Sequence, residues 1–256
     1  MCARRRRGRA LSKSTQVKTD WRPSPNFNDR KDGAADMLLL HYTGMSSGEA
    51  ALDRLCDVSA QVSAHYLVFE DGRVVAMVEE AKRAWHAGVA HWAGETDINS
   101  RSIGIEIVNP GHDLGYPAFP DAQIASVIDL SRDIVARHHI KPVRVLAHSD
   151  VAPLRKADPG EKFPWDALAA AGVGHWVAPV EALDGPVLKM GDRGDGVAEL
   201  QFQLADYGYG IVVDGQYGEV TAAFVTAFQR HFRPGLVSGA ADFSTVGTLR
   251  LLRDAR

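Results

Sequence analysis

The stretch DMLLLHYTG, residues 36–44, is a short apolar run that ends in polar residues and a glycine. Such a run is typical of a strand buried within a sheet, and it places His41 at the carboxyl end of that strand. In α/β proteins, functional side chains collect where the strands end. The stretch therefore predicts an α/β fold and makes His41 a candidate functional residue.

Two further strands are predicted later in the chain. In SIGIEIVN, residues 102–109, the isoleucines alternate onto one face, which leaves Glu106 among small or apolar neighbours on the other face. The run VRVLAH, residues 143–148, is β-rich and ends at His148. His148 therefore stands, like His41, at a predicted strand end.

The intervening segments carry turn and helix signals. Residues 63–78 contain two β-rich runs on either side of the DG dipeptide at Asp71, which predicts a hairpin. Ser46 lies three residues before Glu49, a capping-box spacing that predicts the start of a helix at Ser46. A longer helix is predicted after Pro120, where apolar residues follow helical spacing. The mixture of strands and helices supports the α/β prediction.

Composition is that of a folded protein without a membrane span. Hydrophobic residues make up 45% and charged residues 24% of the chain, and no apolar run reaches the ~18 residues of a membrane helix. Residues 1–18 carry five Arg, two Lys and no acid, so the rest is acidic although the net charge is −3. We expect residues 1–20 to form a disordered basic tail, and the acidic remainder argues against a nucleic-acid partner. No complete export signal follows the arginines, and two cysteines make no disulfide framework.

Two histidines and one aspartate occupy predicted strand ends or a loop, namely His41, His148 and Asp158. Catalytic zinc takes about three protein ligands and leaves one position for water, so the set suits such a site. The spacing alone is weak evidence, because the histidines are far apart and no HExxH motif is present. For each histidine by itself, a structural role is the alternative.

The segments LLLHYTG, WHAG, SIGIEIVN and HSDVAPLRKADPG resemble the zinc amidases of the N-acetylmuramoyl-L-alanine amidase type 2 family, in order and spacing over residues 36–170. The resemblance implies a mixed central β-sheet flanked by helices, the fold shared with peptidoglycan recognition proteins. It implies that one catalytic Zn²⁺ ion is bound by His41, His148 and Asp158. It also implies that Glu106 is the general base and that Lys156 lies beside the metal.

The implied reaction is hydrolysis of the amide between the lactyl group of N-acetylmuramic acid and L-alanine, the first residue of the peptidoglycan stem peptide. Zinc and Lys156 can share the negative charge that develops on the carbonyl oxygen. Glu106 can take a proton from water and return it to the alanine nitrogen. The alternatives are a surface strand position for Glu106 and a solvated charge for Lys156.

Trp85 and His86 are expected to contact substrate, because an amphipathic ring can stack on a sugar and still offer a polar edge. The alternative is that they anchor a loop on the sheet. His65 and His91 flank the same predicted cleft, and we expect neither to bind the metal. Helix-end or surface positions are expected for the histidines outside any motif: His112, His138, His139, His175 and His231.

The C-terminal part resembles the three-helix peptidoglycan-binding domain of many wall hydrolases, through GDRGDGVAELQFQL, VDGQYGEVT and AFQR. Helical spacing predicts a small core from Leu200, Leu204, Phe224 and Phe228. This domain is expected to hold the enzyme on polymeric substrate or to act as a stabilising lid on the amidase domain. The expected division is a catalytic domain at residues 21–177, a linker at 178–187 and a peptidoglycan-binding domain at 188–256.

The favoured function is a zinc-dependent amidase of cell-wall turnover or remodelling in the cell envelope or periplasm, with peptidoglycan or muropeptides as partners. One alternative is a cytoplasmic amidase that recycles soluble anhydro-muropeptides, which the lack of a complete export signal favours and the C-terminal domain disfavours. Another is a recognition protein that binds muropeptides without cleaving them, which the complete set of site residues disfavours. Oligomeric state, stem-peptide length and preference for anhydro-muramic acid stay open.

Overall fold

The computed structural model of the chain describes residues 17–31 and 33–256. Their strands are β1 (Asp20–Trp21), β2 (Phe27–Asp29), β3 (Met37–Tyr42), β4 (Tyr66–Val68), β5 (Val74–Ala76), β6 (Lys82–Ala84), β7 (Ser102–Ile107) and β8 (Val145–Ala147). A central sheet has the strand order β1-β5-β4-β7-β3-β8, and β2 pairs with β6 beside it. The antiparallel pair β4–β5 lies among parallel neighbours, which confirms the predicted mixed sheet.

Helices flank this sheet and make up the C-terminal part of the chain, which confirms the predicted small helical region. We call residues 188–256 the C-terminal module. The α-helices of the described residues are α1 (Gly48–Cys56), α2 (Ile98–Arg101), α3 (Asp121–His138), α4 (His148–Val151), α5 (Trp165–Ala170), α6 (Asp195–Tyr207), α7 (Glu219–Phe232) and α8 (Phe243–Asp254).

Local predictions hold with small shifts. The hairpin is confirmed, because β4 pairs with β5 across a turn in which Gly72 has a φ of 88°. The N-cap of α1 is Ser47, one residue later than the predicted Ser46, and its hydroxyl accepts from the Ala50 amide at 3.2 Å. Strand β8 ends before His148, which instead begins α4.

Alternation along β3 and β7 separates two hydrophobic layers. On one face, Leu38 and Leu40 of β3 join the isoleucines of β7 in a cluster with α3. On the other face, Leu39 belongs to a different cluster. Because successive side chains of a strand point to opposite faces, His41 and Glu106 emerge on the face of Leu39. Strand β7 therefore has the two predicted faces, one with the isoleucines and the other with Glu106.

The cluster on this second face continues into the C-terminal module. Trp92 lies at the junction with only 2% of its surface exposed, and its ring centroid is 5.0 Å from that of Tyr209 and 6.1 Å from that of Tyr207. The backbone amide of Ala93 donates to the Gly208 carbonyl at 2.7 Å. The module therefore packs directly on the N-terminal part. Its predicted core residues are all buried: Leu200, Leu204, Phe224 and Phe228.

The predicted tail and linker lie before and after the N-terminal part in the chain. Most of residues 1–20 lies outside the described residues, but Val17 packs against the α3 cluster and Asp20 begins β1. Residues 178–187 contain neither helix nor strand and are held to α8 through Val180. None of the described helices combines the length and the apolar character that a membrane span needs.

Candidate metal centre and active site

Neighbouring strand ends bring three candidate residues together. β3 and β7 pair in parallel with His41 opposite Glu106. On the other side of β3, Leu40 pairs with Ala147, the last residue of β8, and His148 follows as the first residue of α4. Parallel strands end at the same edge of a sheet, so these side chains meet there.

Asp158 completes a compact group with the two histidines. The Nδ1 atoms of His41 and His148 lie 2.9 Å apart, and Asp158 Oδ2 lies 3.1 Å from the first and 2.9 Å from the second. All three side chains are buried. The Ser149 amide donates to the Asp158 carbonyl at 3.0 Å, which ties the Asp158 loop to α4. Within the described ranges, this is the group of donors close enough together to hold a metal ion.

The donor set fits zinc. Bonds of about 2.0–2.2 Å in a tetrahedral site place the ligand atoms about 3.3–3.6 Å apart. The three separations of 2.9–3.1 Å are slightly shorter than that. Two imidazole nitrogens and one carboxylate oxygen that converge on a point match the ligand types that zinc takes in hydrolases.

The remaining ring nitrogen of each histidine is held by the protein. His148 Nε2 lies 3.0 Å from the Ala87 carbonyl, and His41 Nε2 lies 3.0 Å from His86 Nδ1. We assign a proton to both Nε2 atoms, which leaves the Nδ1 lone pairs directed into the site, as metal binding requires. Gly104 makes room for this arrangement, since a Cβ there would lie 2.6 Å from the His86 ring.

Burial and mutual contact set the protonation of these groups. Burial, assisted by His148, lowers the pKa of His41 to about 4, so its ring is neutral at pH 7. Burial by itself would raise the pKa of Asp158, but the two histidines lower it far below its ordinary value. A neutral imidazole and an ionised carboxylate are the forms that bind a metal ion.

Glu106 lies in the same cleft without a partner for one of its oxygens. Its Oε2 is buried and makes no hydrogen bond with any residue that the structure describes. Burial, and then the charge of Asp158, raise the pKa of Glu106 well above 4.5, while Lys156 opposes the shift. A carboxyl group with a raised pKa in a cleft is a candidate for general acid–base chemistry.

The cleft has a volume of about 520 Å³. It is lined by Lys156, Trp85 and His86 as well as by Glu106 and the three donor residues. The Trp85 indole Nε1 donates to Asn28 Oδ1 at 2.8 Å, which anchors its loop. The sequence thus predicted residues that share one cleft. Substrate contact by Trp85 and His86 stays a prediction.

Two histidines outside any motif have contacts that the sequence did not single out. His112 lines the cleft, where its Nδ1 lies 3.0 Å from the Tyr42 hydroxyl and its Nε2 lies 3.1 Å from Glu161 Oε2. It begins the short 3₁₀-helix His112–Leu114, as the helix-end alternative predicts, and its place soon after β7 was a usable signal for the cleft. His231 lies in the last turn of α7, as the helix-end alternative predicts, but it is only 3% exposed, so the surface alternative is wrong for it. Long-range packing buries it, and no local signal marks it.

Comparison with known proteins agrees with this geometry. The sequence matches the family model described as "N-acetylmuramoyl-L-alanine amidase" over residues 31–161 and the one described as "Putative peptidoglycan binding domain" over residues 193–249. The N-acetylmuramoyl-L-alanine amidase AmiD of Escherichia coli (strain K12) is 39% identical over 233 residues, which cover 82% of this chain and 79% of AmiD.

Solved structures resemble both parts of the chain. The complex of AmiD from E. coli with the substrate anhydro-N-acetylmuramic acid-L-Ala-D-gamma-Glu-L-Lys has a TM-score of 0.75 and 37% identity, and the match covers 91% of this chain and 93% of AmiD. AmpDh3 from Pseudomonas aeruginosa in complex with anhydromuramic pentapeptide has a TM-score of 0.71 and 29% identity, with 96% and 98% covered. The chain therefore belongs to the N-acetylmuramoyl-L-alanine amidase family, and it hydrolyses the amide bond for which that family is named.

Proposed function

We propose that this amidase is a zinc enzyme in which His41, His148 and Asp158 hold one catalytic Zn²⁺ ion. The proposal rests on the convergence of two imidazole nitrogens and one carboxylate oxygen, 2.9–3.1 Å from one another, in a buried part of the cleft. The contacts that hold both Nε2 atoms support it, because they leave the Nδ1 lone pairs free. When bound, the ion polarises a carbonyl and lowers the pKa of water.

Glu106 moves the proton in the proposed mechanism. It accepts a proton from the attacking water, whose oxygen forms the new bond to the carbonyl carbon. It then donates that proton to the alanine nitrogen as the C–N bond breaks, so that the stem peptide leaves as a neutral amine. The raised pKa and the unpaired Oε2 support this role, because such a carboxyl group can accept a proton and give it back.

The other residues of the cleft bind and orient substrate in this proposal. Lys156, half-buried in the wall of the cleft, places its ammonium group beside the carbonyl oxygen, where negative charge develops. Trp85 offers its ring to the sugar face. His86, half-buried in the wall of the cleft, contacts substrate and also orients the His41 ring through the 3.0 Å contact between them.

The proposed substrates are muramoyl peptides, both polymeric and soluble. The similar solved structures of AmiD and AmpDh3 contain anhydro-muramoyl peptides, which supports acceptance of that sugar form here. The match of the C-terminal module to a peptidoglycan binding domain supports action on the wall itself, and hence on wall turnover in the cell envelope. The second candidate is the recycling of soluble anhydro-muropeptides in the cytoplasm.

The test is product identification with both substrates. The zinc-loaded full chain is incubated separately with purified sacculi and with a soluble anhydro-muramoyl tripeptide, and the products are analysed by mass spectrometry beside chelator-treated samples. We expect stem peptides with a free L-alanine amino group from both substrates, and none after chelation. Release from the soluble substrate alone would favour recycling. No zinc-dependent release from either would contradict the proposed site.

A further inference from the structure

Asp150 is a buried carboxylate two residues beyond His148. It is fully shielded from solvent. Its Oδ2 accepts a hydrogen bond from the Ala147 amide at 2.8 Å, at the point where β8 ends and α4 begins. A carboxylate in the first turn that binds the amide before the helix fixes the direction in which the helix leaves the strand. Asp150 therefore helps to set where His148 projects.

The other hydrogen bonds to this carboxylate come from the C-terminal module. The Tyr209 hydroxyl donates to Asp150 Oδ1 at 2.8 Å, and His231 Nδ1 lies 2.6 Å from Asp150 Oδ2. Burial and the neighbouring carboxylate raise the pKa of Tyr209 well above 10, so its hydroxyl keeps its proton. A buried carboxylate is stable only when it is paired and hydrogen-bonded. The module thus supplies partners that Asp150 needs to remain in place.

A second set of contacts joins the end of α7 to the loop that carries Asp158. The His231 ring stacks on Trp165 with a centroid distance of 3.6 Å. The adjacent Arg230 Nε lies 3.6 Å from Glu161 Oε2, three residues after Asp158. α4 and α7 are themselves in contact. The last turn of α7 therefore contacts both α4, which carries His148, and the segment that follows Asp158.

We propose that Tyr209 and His231 are positioning residues of the active site, which act through Asp150 to hold His148 in its metal-binding orientation. The C-terminal module is accordingly part of the metal centre's support, whatever it binds. This inference rests on the proposed function, in which His148 is a zinc ligand. Neither residue is among those that line the cleft.

Tyr209→Phe removes the hydroxyl that donates to Asp150 and keeps the aromatic packing. Tyr217→Phe is a matched control, because Tyr217 is equally buried in the module and its hydroxyl donates to the Gly239 carbonyl at 2.9 Å, away from Asp150. Zinc affinity is measured on the full chain by competition with a chelating dye. Loss of a supporting contact typically weakens metal binding by about 10–100-fold, and we expect the lower end for Tyr209→Phe and no change for Tyr217→Phe.

A second pair of variants covers failure of the first to fold. His231→Leu and His231→Asn both remove the ring that stacks on Trp165, but only Asn keeps a hydrogen-bond donor near the position of Nδ1. We expect His231→Leu to weaken zinc binding and His231→Asn to restore much of the lost affinity. A merely structural role predicts no advantage for His231→Asn, because both variants lose the ring packing and Leu fills the buried space better.

Amide hydrogen exchange of residues 147–151 in the metal-free protein tests the inference without zinc. Exchange should be faster in Tyr209→Phe than in the wild type and unchanged in Tyr217→Phe. Equal exchange and equal zinc affinity in the two tyrosine variants would overturn the inference while leaving the zinc site intact. Absence of zinc binding by the wild-type chain would instead overturn the proposed function.

Discussion

Replacing Glu106 by Gln removes the proton acceptor from the cleft while the size of the side chain stays nearly the same. Glu106 is not one of the three proposed metal ligands, and its Oε2 has no partner among the described residues. The variant should therefore bind zinc as the wild type does. A positioned general base contributes about 10²- to 10⁴-fold to a rate. We expect kcat to fall by that factor, which corresponds to about 3–5 kcal/mol of activation free energy, with little change in KM.

The same substitution should stabilise the metal-free protein. An unfolded carboxyl ionises near 4.5, whereas burial, with Asp158 next, raises the pKa of Glu106 in the folded protein. The folded state thus holds a proton more tightly, so wild-type stability falls as the pH rises above 4.5. Gln escapes this loss. Its free energy of unfolding should exceed that of the wild type by at least about 1 kcal/mol at neutral pH, and less as the pH falls.

Three measurements on Glu106→Gln check this reasoning. They are steady-state kinetics on a soluble muropeptide, zinc content by atomic spectroscopy, and urea denaturation of the metal-free protein at acidic and neutral pH. A kcat close to that of the wild type would refute the role of general base. Loss of zinc would make Glu106 a ligand. A variant less stable than the wild type at neutral pH would refute the account of its buried carboxyl.

Gly104→Ala should weaken zinc binding and lower the free energy of unfolding by about 1–3 kcal/mol, because a Cβ would lie 2.6 Å from the His86 ring that orients the metal site; unchanged affinity in a chelator titration would contradict this. Glu80→Gln should destabilise the protein by about 1–2 kcal/mol at pH 7. Although burial opposes it, hydrogen bonds from basic side chains lower the pKa of Glu80 to about 2, so the difference should vanish as the pH falls from 4.5 toward 2. Stability is measured by urea denaturation beside the exposed control Glu49→Gln. An equal, pH-independent loss of stability in Glu49→Gln would contradict this role of Glu80. Trp92→Ala should destabilise the whole chain by about 3–5 kcal/mol in a single unfolding transition, whereas separate transitions for the two parts would contradict the shared core.

The sheet was predictable because its signals are local. The apolar run of β3 and the alternation of β7 follow from the two-residue period of a strand, and each fixes which face its side chains occupy. The hairpin followed from the turn at Asp71 and Gly72. These signals placed His41 at the carboxyl end of its strand and Glu106 on the strand face opposite the isoleucines, and the pairing of β3 with β7 brings the two together.

The grouping of His41, His148 and Asp158 as metal ligands was predictable only through family resemblance. His41 and His148 meet because β8 pairs with β3. The two histidines are 107 residues apart, and no spacing rule in the sequence predicts such a pairing. Asp158 reaches them through an irregular loop held by the Ser149 amide. Composition and periodicity alone would have left each of these residues with a structural role.

A stabilising role for the C-terminal module was one of the two expectations, but its hydrogen bonds to Asp150 could not be predicted. Tyr209 and His231 are 59 and 81 residues from Asp150, and none of the three belongs to a motif quoted for the module. Helical spacing gave the core of α6 and α7, but it says nothing about which outer face packs on a neighbour. That packing makes the module and the N-terminal part share one hydrophobic cluster, and it places His231 in the interior.

Zinc titration of the metal-free chain tests the central claim most directly. The protein is stripped with a chelator and assayed for release of stem peptide from a soluble anhydro-muramoyl tripeptide while Zn²⁺ is added back. We expect no activity without metal, full recovery at one equivalent, and no recovery in His148→Ala at the same zinc concentration. Activity that survives the removal of zinc, or full recovery in His148→Ala, would contradict a zinc site built from His41, His148 and Asp158.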